Sequence, residues 1–462
     1  MKDPDRALID ERLRDREARV HFVGIGGAGM SALAHFRAEG GGRCSGSDRF
    51  FDRGELADDH AHCRRLGIEV FAQDGSGIDG SALVVASTAV EDSVPDLSRA
   101  RKLGVPVVRR AEWLAGEIRH RPTIAIAGTS GKSTVVAMVF EALDAAGLDP
   151  GLITGGELNA LAGRERRGNA KHGRGPLVVE ADESDKSLVA YEPSIGVVLN
   201  LHRDHDEPEA LLPVFDTFRR NCRDHFLVAH DPALASLRPA TFTFGLESEA
   251  DMAPTSLESG PRSTRISIAG CRFDLPIPGR HNAFNAIAAL AACRAFGADL
   301  ALCTRGLENY RGVARRYHCL GERRGVEVID DFAHNPAKVA AMLRAARSRS
   351  ARIHAIFQPH GFTQTRLLRD DYRQVFQTEL RPEDRLHLLD IYFAGGTVTR
   401  NVSSADLVAD LAGAPFEARV APDRHALCAL IATEVEAGDL VLLMGARDPS
   451  LGAFARQLIA SL

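Results

Sequence analysis

Several features are missing from this sequence, and each absence excludes a class of protein. No apolar run approaches the roughly 18 residues that a membrane-spanning helix needs. Residues 1–20 mix acidic and basic side chains and contain no apolar stretch, which is not the pattern of a signal peptide. The 57 Lys and Arg residues nearly balance the 62 Asp and Glu residues, and a net charge of -5 is too even for a general nucleic-acid binder. We therefore expect a cytoplasmic protein that binds neither membranes nor nucleic acids.

Paired cysteines and low-complexity segments are also missing. The eight cysteines are scattered and none forms a C-x-x-C pair, so reduced structural thiols are favoured over a disulfide framework. What remains is the composition of an ordinary globular protein, 45% hydrophobic and 26% charged. At about 150 residues per domain, a chain of 462 residues predicts roughly three domains.

Strand-like and helix-like stretches alternate in three successive segments. The strand-like stretches of the first segment are ARVHFVGIGG, GIEVFA, SALVVAS and VPVVRR. Those of the second are RPTIAIAG, PLVVEAD and SIGVVLN, and those of the third are VEVIDDF, RIHAIFQ, RLHLLDIY and DLVLLMG. Strands that alternate with helices predict parallel sheets. The sequence therefore predicts an α/β fold of three domains, residues 1–118, 119–311 and 312–462.

A glycine-rich turn, Gly24-Ile25-Gly26-Gly27-Ala28-Gly29, lies between the first strand and a helix. This G-x-G-x-x-G pattern is followed about twenty residues later by Asp48, where a dinucleotide-binding fold places a ribose-binding carboxylate. Glycines let the backbone approach a pyrophosphate, and the helix N-terminus supplies N–H donors. Alone, the turn suggests a nicotinamide dehydrogenase, or only close packing of strand on helix. Every functional interpretation of this turn predicts a ligand that contains a pyrophosphate.

A second loop of the phosphate-binding type follows the apolar strand TIAIAG and opens another helix. Its Gly-Lys-Ser triplet is that of a P-loop, with Lys132 for the β- and γ-phosphates and Ser133 for Mg²⁺. Ile126 stands where the first glycine of the full P-loop motif would be. The residues of this loop are Gly128, Thr129, Ser130, Gly131, Lys132, Ser133 and Thr134. A nucleoside triphosphate site with its own Mg²⁺ is predicted.

Two such loops in one chain change the interpretation of the first. A dehydrogenase has no use for a second loop that is shaped for a triphosphate. One domain that holds a nucleotide-linked substrate and another that holds ATP together suggest ATP-driven transfer or ligation.

With these motifs in place, the sequence resembles the Mur ligase family, in particular its alanine-adding branch. The resemblance rests on motifs that follow the family's order along essentially the whole chain. They are HFVGIGGAGMSALAHF, GSD (46–48), VVASTAV, ARKLGVPVVRRAEWLAGEI, GTSGKST (128–134), EADESD (180–185), DH (204–205), PGRHNAFNA (278–286), GVARRY (312–317), DDFAHNP (330–336), FQPH (357–360) and MGA (444–446).

This resemblance implies an ATP- and Mg²⁺-dependent ligase of the cytoplasm. Such an enzyme joins the carboxylate of a UDP-N-acetylmuramate-type substrate to an amino acid such as L-alanine through an acyl-phosphate, and it releases ADP and phosphate. A carboxylate oxygen is a poor leaving group until it is phosphorylated, and the transferred phosphoryl group needs Lys and Mg²⁺ to neutralise its charge. The implied architecture is an N-terminal Rossmann-like UDP-binding domain, a central P-loop ATPase-type domain and a C-terminal Rossmann-like domain.

The resemblance also implies roles for individual residues. Lys132, Glu180 and His205 would be catalytic, with Ser133, Glu180 and His205 on Mg²⁺ directly or through water. Besides the loop 128–134, the matching ATP contacts are His281, Asn282, Asn285, Arg316 and Asp331. The matching substrate contacts are Gly26, Gly27, Ser47, Asp48, Ser87, His334 and His360.

Plainer interpretations stand beside these roles. Glu180 could simply begin a turn after its strand, and His205 lies in HRDHDE, which read alone is a solvated loop more often than a metal site. Asp331 and His334 could be ordinary turn residues. Arg316, with its neighbour Arg315, could be a solvated basic pair.

The chain departs from the alanine-adding pattern at four positions. Ser130 and Asn335 each replace a histidine, and Gly361 and Gln364 replace two arginines after the FQPH motif. Arginines are natural carboxylate clamps, so the identity of the acceptor is open between L-alanine, another amino acid and a preformed peptide. We predict a monomer or homodimer. A nicotinamide-dependent oxidoreductase and a regulatory paralogue without activity are the rival functions.

Overall fold

The structure, a computed structural model, describes residues 3–87, 90–163, 167–183, 186–201, 208–238, 241–393, 398–421, 423–448 and 450–462. The chain divides into two compact units, one that ends at Gly312 and one that runs from Val313 to Leu462.

The first unit begins with a five-stranded parallel sheet in the order β3-β2-β1-β4-β5. Its strands are β1 (Val20–Val23), β2 (Cys44–Ser47), β3 (Glu69–Phe71), β4 (Leu83–Ala86) and β5 (Val107–Arg109). Its helices are α1 (Asp3–Arg14), α2 (Ala28–Glu39), α3 (Arg49–Asp52), α4 (Ala57–Arg65), α5 (Pro95–Leu103) and α6 (Arg110–Arg119). All four residues of β1 are buried, as expected for a central parallel strand that is covered on both faces.

The same unit contains a second sheet of seven strands, in the order β12-β11-β10-β6-β9-β7-β8. Its strands are β6 (Thr123–Ala127), β7 (Gly151–Ile153), β8 (Ala170–Lys171), β9 (Leu177–Glu180), β10 (Ile195–Val198), β11 (His225–Ala229) and β12 (Phe242–Phe244). The edge strand β8 is antiparallel to β7, and the other strand pairs are parallel. The helices of this part are α7 (Lys132–Ala145), α8 (Pro208–Asn221), α9 (Arg280–Ala295) and α10 (Leu300–Glu308).

A separate antiparallel meander and three short 3-10 helices complete the first unit. The meander consists of β13 (Ser256–Ser259), β14 (Thr264–Ile268) and β15 (Cys271–Leu275). The 3-10 helices are Ser76–Ile78, Ser187–Ala190 and Pro232–Leu237.

The second unit is built on one six-stranded sheet in the order β16-β17-β21-β18-β19-β20. Its strands are β16 (His318–Arg323), β17 (Val326–Asp331), β18 (Ile353–Gln358), β19 (Arg385–Leu388), β20 (Glu417–Val420) and β21 (Leu440–Gly445), of which only β16 pairs antiparallel. The helices are α11 (Pro336–Arg347), α12 (Phe362–Leu367), α13 (Arg369–Glu379), α14 (Ser404–Ala409), α15 (Arg424–Glu434) and α16 (Leu451–Ser461).

Both faces of this last sheet are covered by apolar side chains. Along β18, Ala355 and Phe357 belong to one buried cluster, whereas Ile356 belongs to the other. Because successive side chains of a strand point to opposite faces, a fully buried strand reads as a continuous apolar run. This is why central strands such as β1, β6 and β18 appear in the sequence as continuous apolar runs.

The predicted α/β fold of three domains is confirmed by three mostly parallel sheets. The domain boundaries at residues 118 and 311 stay predictions. All eight cysteines are free thiols. Across the described ranges, no helix is both long and apolar enough to cross a bilayer.

Candidate active site

The carboxyl ends of four neighbouring strands in the second sheet carry the residues of the candidate ATP site. The loop 128–134 follows β6, Glu180 ends β9, Thr154 follows β7 and Asn200 follows β10. Parallel strands end at the same edge of a sheet, and ligands of α/β proteins bind in the crevice outside that edge.

Two glycines allow the backbone conformation of the loop 128–134. Gly128 has φ +133° and Gly131, which precedes α7, has φ +83°, a left-handed region that side chains disfavour. A Cβ at Gly131 would lie 2.9 Å from Oδ1 of Asn285, and one at Gly128 would lie 3.0 Å from Cβ of Leu199. The loop therefore needs glycine for its backbone angles and for the close approach of neighbouring elements. The N-terminus of α7 follows at once and presents N–H groups to an anion.

The side chain of Asn200 holds this loop in place. Its Oδ1 accepts hydrogen bonds from Oγ1 of Thr129 and from the backbone N–H of Ser130, each at 2.9 Å. Its Nδ2 donates to the backbone oxygen of Ser130 at 3.0 Å. Sequence reasoning did not single out Asn200, although it ends the strand-like stretch SIGVVLN.

Lys132 is paired with a buried carboxylate that sequence reasoning also left without a role. Its Nζ lies 2.7 Å from Oε2 of Glu183 and 2.8 Å from the backbone oxygen of Gly128, with Asp182 3.9 Å away. Glu183 is 5% exposed, and burial raises the pKa of its carboxyl group. The ammonium group is thus held at the mouth of the loop by a charge-assisted hydrogen bond.

Glu180 presents a carboxylate at the same edge. Its Oε1 accepts from Oγ1 of Thr154 at 2.8 Å, and Oε2 accepts from the N–H of Gly155 at 3.4 Å. Ser133 is half-buried in the first turn of α7, next to Lys132. Hydroxyl and carboxylate oxygens are the donors that Mg²⁺ prefers, so Ser133 and Glu180 fit the predicted metal. His205, the third predicted ligand, lies outside the described residues.

The predicted adenine-side residues lie in the first turns of α9. Asn282 is buried and donates from Nδ2 to the backbone oxygen of Pro278 at 2.7 Å. Asn285 packs against Gly131 as described, and His281 is exposed in the first turn of α9. The start of α9 therefore contacts the loop 128–134, while the amide of Asn282 is hydrogen-bonded to the backbone of Pro278.

The glycine-rich turn of the first sheet is hydrogen-bonded to Asp48, whose carboxylate was predicted to bind a ribose. Asp48 accepts from the N–H of Gly26 at 2.9 Å through Oδ2, and from the N–H of Phe50 at 2.9 Å through Oδ1. Burial raises the pKa of Asp48. Gly27 donates to the backbone oxygen of Gly24 at 3.1 Å and precedes α2. In this structure Asp48 holds the turn and caps α3, so a ribose contact by this side chain stays a prediction.

Ser47, another predicted substrate contact, has its side chain inside the first sheet. Its hydroxyl is fully buried, donates to Oδ2 of Asp96 at 2.7 Å and lies 3.2 Å from Nε2 of His21. This side chain is therefore engaged inside the sheet, and a substrate contact by Ser47 stays a prediction. Ser87, in contrast, is half-buried directly after β4, at the same sheet edge as the glycine-rich turn.

Two residues from the second sheet's segment contact the glycine-rich turn. Nη1 of Arg167 donates to the backbone oxygen of Gly26 at 3.1 Å, and its Nε donates to Glu157 at 2.8 Å. Nδ2 of the buried Asn169 donates to the backbone oxygen of Ala28 at 3.0 Å. Both residues are far from the turn in sequence, so no local motif pointed to them.

In the second unit, the predicted site residues lie at the carboxyl ends of β17 and β18. Asp331 accepts from the N–H groups of Tyr317 at 2.6 Å and Ala333 at 2.7 Å, and burial raises its pKa. The guanidinium of Arg316 lies 4.9 Å from the ring centre of Phe332. Asp331 thus organises the loop that carries Arg316.

His334 and His360 are brought together at this edge, with ring centres 5.2 Å apart. Nδ1 of His334 donates to the backbone oxygen of Phe332 at 2.9 Å; because a carbonyl only accepts, this ring nitrogen carries the proton. Asn335, the predicted departure, caps α11 by accepting at Oδ1 from the N–H of Lys338 at 2.9 Å. The asparagine that replaces histidine at this position therefore stabilises the N-terminus of α11.

Models of three regions of one family match the chain in order. The Mur ligase family catalytic domain matches residues 19–121, the Mur ligase middle domain matches 126–293, and the Mur ligase glutamate ligase domain matches 315–447.

Individual relatives match over nearly their full length. A UDP-N-acetylmuramate–L-alanine ligase of Acidobacterium capsulatum is 36% identical over 451 residues, which is 94% of this chain and 95% of that protein. One of Kineococcus radiotolerans is 37% identical over 479 residues, 97% of each chain. The crystal structure of the UDP-N-acetylmuramate–alanine ligase of Thermotoga maritima superposes with a TM-score of 0.78 at 26% identity, covering 96% of this chain and 98% of that one.

Proposed function

The chain belongs to the Mur ligase family of ATP-dependent carbon–nitrogen ligases, and on that premise we propose the reaction that it catalyses. It joins the carboxylate of a UDP-N-acetylmuramate-type substrate to the amine of an amino acid of the L-alanine class, with conversion of ATP to ADP and phosphate. The observation that carries the proposal is the Lys132–Glu183 pair at the loop 128–134, at the sheet edge where β9 ends in Glu180.

The chemistry requires the substrate carboxylate to be activated. A carboxylate oxygen attacks the γ-phosphorus and ADP leaves; the amine then attacks the acyl carbon, and phosphate leaves with that oxygen. Lys132 and the N–H groups at the start of α7 stabilise the charge on the transferred phosphoryl group. Lys132 is already held between Glu183 and the backbone of Gly128, so its position is set before ATP binds.

Ser133, Glu180 and His205 are the residues that we propose for Mg²⁺. When bound, the ion neutralises charge on the ATP phosphates. Thr154 donates to Glu180 and so fixes the orientation of that carboxylate. His281, Asn282 and Asn285 are proposed for the adenine side, and Arg316 and Asp331 for the phosphates and ribose.

The glycine-rich turn of the first sheet is proposed to hold the UDP part of the substrate, with contacts from Gly26, Gly27, Ser47, Asp48 and Ser87. A ligase of this family needs no nicotinamide, so the dehydrogenase interpretation of this turn is abandoned. Arg167 and Asn169, which hold the turn from outside, set its position. His334 and His360 are proposed for the acceptor side, and we propose that the protein acts in the cytoplasm as a monomer or homodimer.

Phosphate release tests the proposal. The protein is incubated with ATP, Mg²⁺, UDP-N-acetylmuramate and one member of a panel of L-amino acids and cell-wall tri- and tetrapeptides, and products are identified by mass. Release that requires one amino acid supports the proposal, and release with peptides only assigns a muropeptide ligase instead. ATP binding without release across the panel contradicts a ligase function and favours a regulatory paralogue.

The same assay tests the phosphate role of Lys132. Loss of a charged group that acts on the transferred phosphoryl should lower turnover by about 10³-fold. Because Lys132→Ala alone would leave Glu183 buried without its partner, the variant is made as Lys132→Ala with Glu183→Gln. The exposed Lys102→Ala on α5 is the matched control. Retained turnover in the double variant would contradict the phosphate assignment.

A further inference from the structure

Two buried histidines and a glutamate lie close together inside the second unit. His354 is on β18, His387 is on the neighbouring strand β19, and Glu434 is the last residue of α15. One ring nitrogen of each histidine and one carboxylate oxygen of Glu434 lie within 4.8 Å of one another. His354 is the second residue of β18, whereas the proposed site residue His360 follows the carboxyl end of that strand. The three side chains therefore form a group apart from the candidate active site.

The alternation of side chains along the two strands explains why both histidines face α15. His354 is two residues from Ile356, which packs in the apolar cluster that includes Ile431 of α15, so it lies on the same face. On β19, Leu386 and Leu388 belong to the cluster on the other face, and His387 between them points toward α15. The two imidazole rings are nearly parallel, at 10°, with centres 6.2 Å apart.

The ring nitrogens of these histidines lack partners. His354 and His387 are both fully buried. Both ring nitrogens of His387 and the Nδ1 of His354 have no hydrogen-bond partner among the described residues. Buried polar atoms without a partner are costly, and a native structure that keeps them calls for a bound water or ion. A metal ion would use the lone pair of one nitrogen on each ring.

The tautomer of His354 is already suited to a metal. Its Nε2 donates to Oδ2 of Asp439 at 3.3 Å, and since a carboxylate only accepts, the lone pair of this ring is on Nδ1. Asp439 is itself fixed, because it accepts from the N–H of Glu436 at 2.9 Å and pairs with Arg352 at 3.5 Å. Histidines that bind a metal usually donate their other ring N–H to a carboxylate in this way.

The charges around the group also permit a cation. Burial lowers the pKa of His354, and burial together with Arg419 lowers the pKa of His387 to about 3, so both rings are neutral near pH 7, the form that binds a metal. Arg419 donates to both carboxylate oxygens of Glu434 at 2.6 Å. Each oxygen has two lone pairs, so Glu434 can bind an ion and keep Arg419. Arg419 also lies 3.7 Å from Glu417, which offsets its charge.

The donor set selects the kind of metal. Two imidazole nitrogens and one carboxylate oxygen are ligands that Zn²⁺ takes with a water in the fourth position, whereas Mg²⁺ and Ca²⁺ prefer oxygen alone. Ligand atoms around a tetrahedral Zn²⁺ lie about 3.3 Å apart, so separations of up to 4.8 Å must close by at most about 1.5 Å. The side chain of Glu434 is 24% exposed, which gives the ion and its water a path from solvent.

We propose that His354, His387 and Glu434 bind one Zn²⁺, which links α15 to β18 and β19 in the second unit. Asp439 positions His354 for this ion. The site is separate from the Mg²⁺ site proposed at the loop 128–134, and the proposal does not rest on the ligase function.

Titration of the full chain with ZnCl₂ tests the proposal. The protein is first treated with a chelator, and binding is measured by calorimetry in excess Mg²⁺, which occupies oxygen-only sites. We expect one tightly bound Zn²⁺ per chain. Glu434→Gln should weaken this binding by more than about 100-fold, because losing a ligand costs more than the 10–100-fold that losing an outer-shell partner costs. His387→Leu should abolish it.

Two matched variants control for binding at the surface. Glu436→Gln changes a carboxylate two residues from Glu434 whose side chain is 82% exposed. His425→Gln changes an exposed histidine on α15. Both should bind Zn²⁺ as the wild type does.

Thermal unfolding gives a second measurement. A ligand that binds only the folded state raises Tm with its concentration, so Zn²⁺ should raise the Tm of the wild type and of both controls but not that of His387→Leu. Leucine leaves no unpaired nitrogen in the core, so this variant should fold. If it does not, Glu434→Gln decides, since this side chain is partly exposed.

Loss of tight Zn²⁺ binding in the two site variants, with binding kept in both controls, supports the site. Three results overturn it: a wild type that binds no Zn²⁺, wild-type affinity in a folded site variant, or an equal loss in a control.

Discussion

At the scale of single residues, motifs located the candidate ATP site but not the partners of its side chains. Lys132, Ser133 and Glu180 could be placed from the sequence, because Glu180 ends a buried strand and the other two begin the helix that follows one. Glu183 could not be paired with Lys132 in advance, because the path of the loop after β9 decides which of several carboxylates reaches the ammonium group. The hydrogen-bond partner of Ser47 could not be predicted for a related reason: Asp96 comes from a distant part of the chain.

The Lys132–Glu183 pair leads to a prediction at this scale. Glu183→Gln keeps the shape of the side chain but removes the charge that orients the ammonium group. We expect kcat to fall by about 10–100-fold, in line with one charge-assisted hydrogen bond, and the KM for ATP to change by less than about threefold. Steady-state phosphate release checks both values, with the exposed Glu258→Gln on β13 as control.

The pH dependence of kcat tests the role of Glu183 in a second way. Burial raises the pKa of Glu183, so lowering the pH neutralises this carboxylate earlier than an ordinary one. Wild-type kcat should therefore fall as the pH drops through this raised pKa, whereas the Glu183→Gln variant should lack that fall. Parallel profiles for the two proteins would show that Glu183 does not position Lys132.

At the scale of helices and strands, continuous apolar runs predicted the buried parallel strands, and glycine-rich turns predicted the helix starts that follow them. The meander β13–β15 was missed because its strands are short and partly exposed, and SLES carries no apolar pattern. The edge strand β8 has two residues and depends on pairing with β7. Short or edge strands are specified by tertiary contacts more than by their own sequence.

The helix α7, which follows the ATP loop, carries a buried carboxylate with consequences for stability. Oε2 of Glu141 accepts from the N–H of Arg311 at 3.1 Å, while its Oε1 is buried without a hydrogen-bond partner among the described residues. Burial raises the pKa of Glu141 to about 8. The folded state therefore favours the protonated carboxyl group.

A pH-dependent stability difference follows for Glu141→Gln. The pKa of Glu141 is higher in the folded state than in the unfolded state. The protonated group therefore contributes fully to the free energy of unfolding below a pH of about 4.5. As the pH rises from there toward 8, the free energy of unfolding of the wild type falls by about 1.4 kcal/mol per pH unit. The glutamine variant cannot ionise, so its free energy of unfolding should rise relative to wild type over this range. Urea denaturation of both proteins at pH 5.5, 7 and 8.5 measures the difference; a constant difference would contradict the raised pKa.

At the scale of the whole molecule, three sheets carry their proposed ligand residues at the carboxyl ends of their strands. The order of motifs along the chain was enough to predict this division and the family. Sequence order could not show that Gly361, which follows β18, and Arg447, which follows β21, line one cleft, because only the sheet order places β21 beside β18.

Transfer of oxygen from the substrate carboxylate to phosphate tests the central claim most directly. UDP-N-acetylmuramate labelled with ¹⁸O in its carboxylate is turned over with ATP, Mg²⁺ and the best acceptor, and the released phosphate is analysed by mass spectrometry. Activation through an acyl-phosphate predicts one carboxylate oxygen in each phosphate released and none in ADP. Unlabelled phosphate, formed at the same rate as the amide product, would contradict the account.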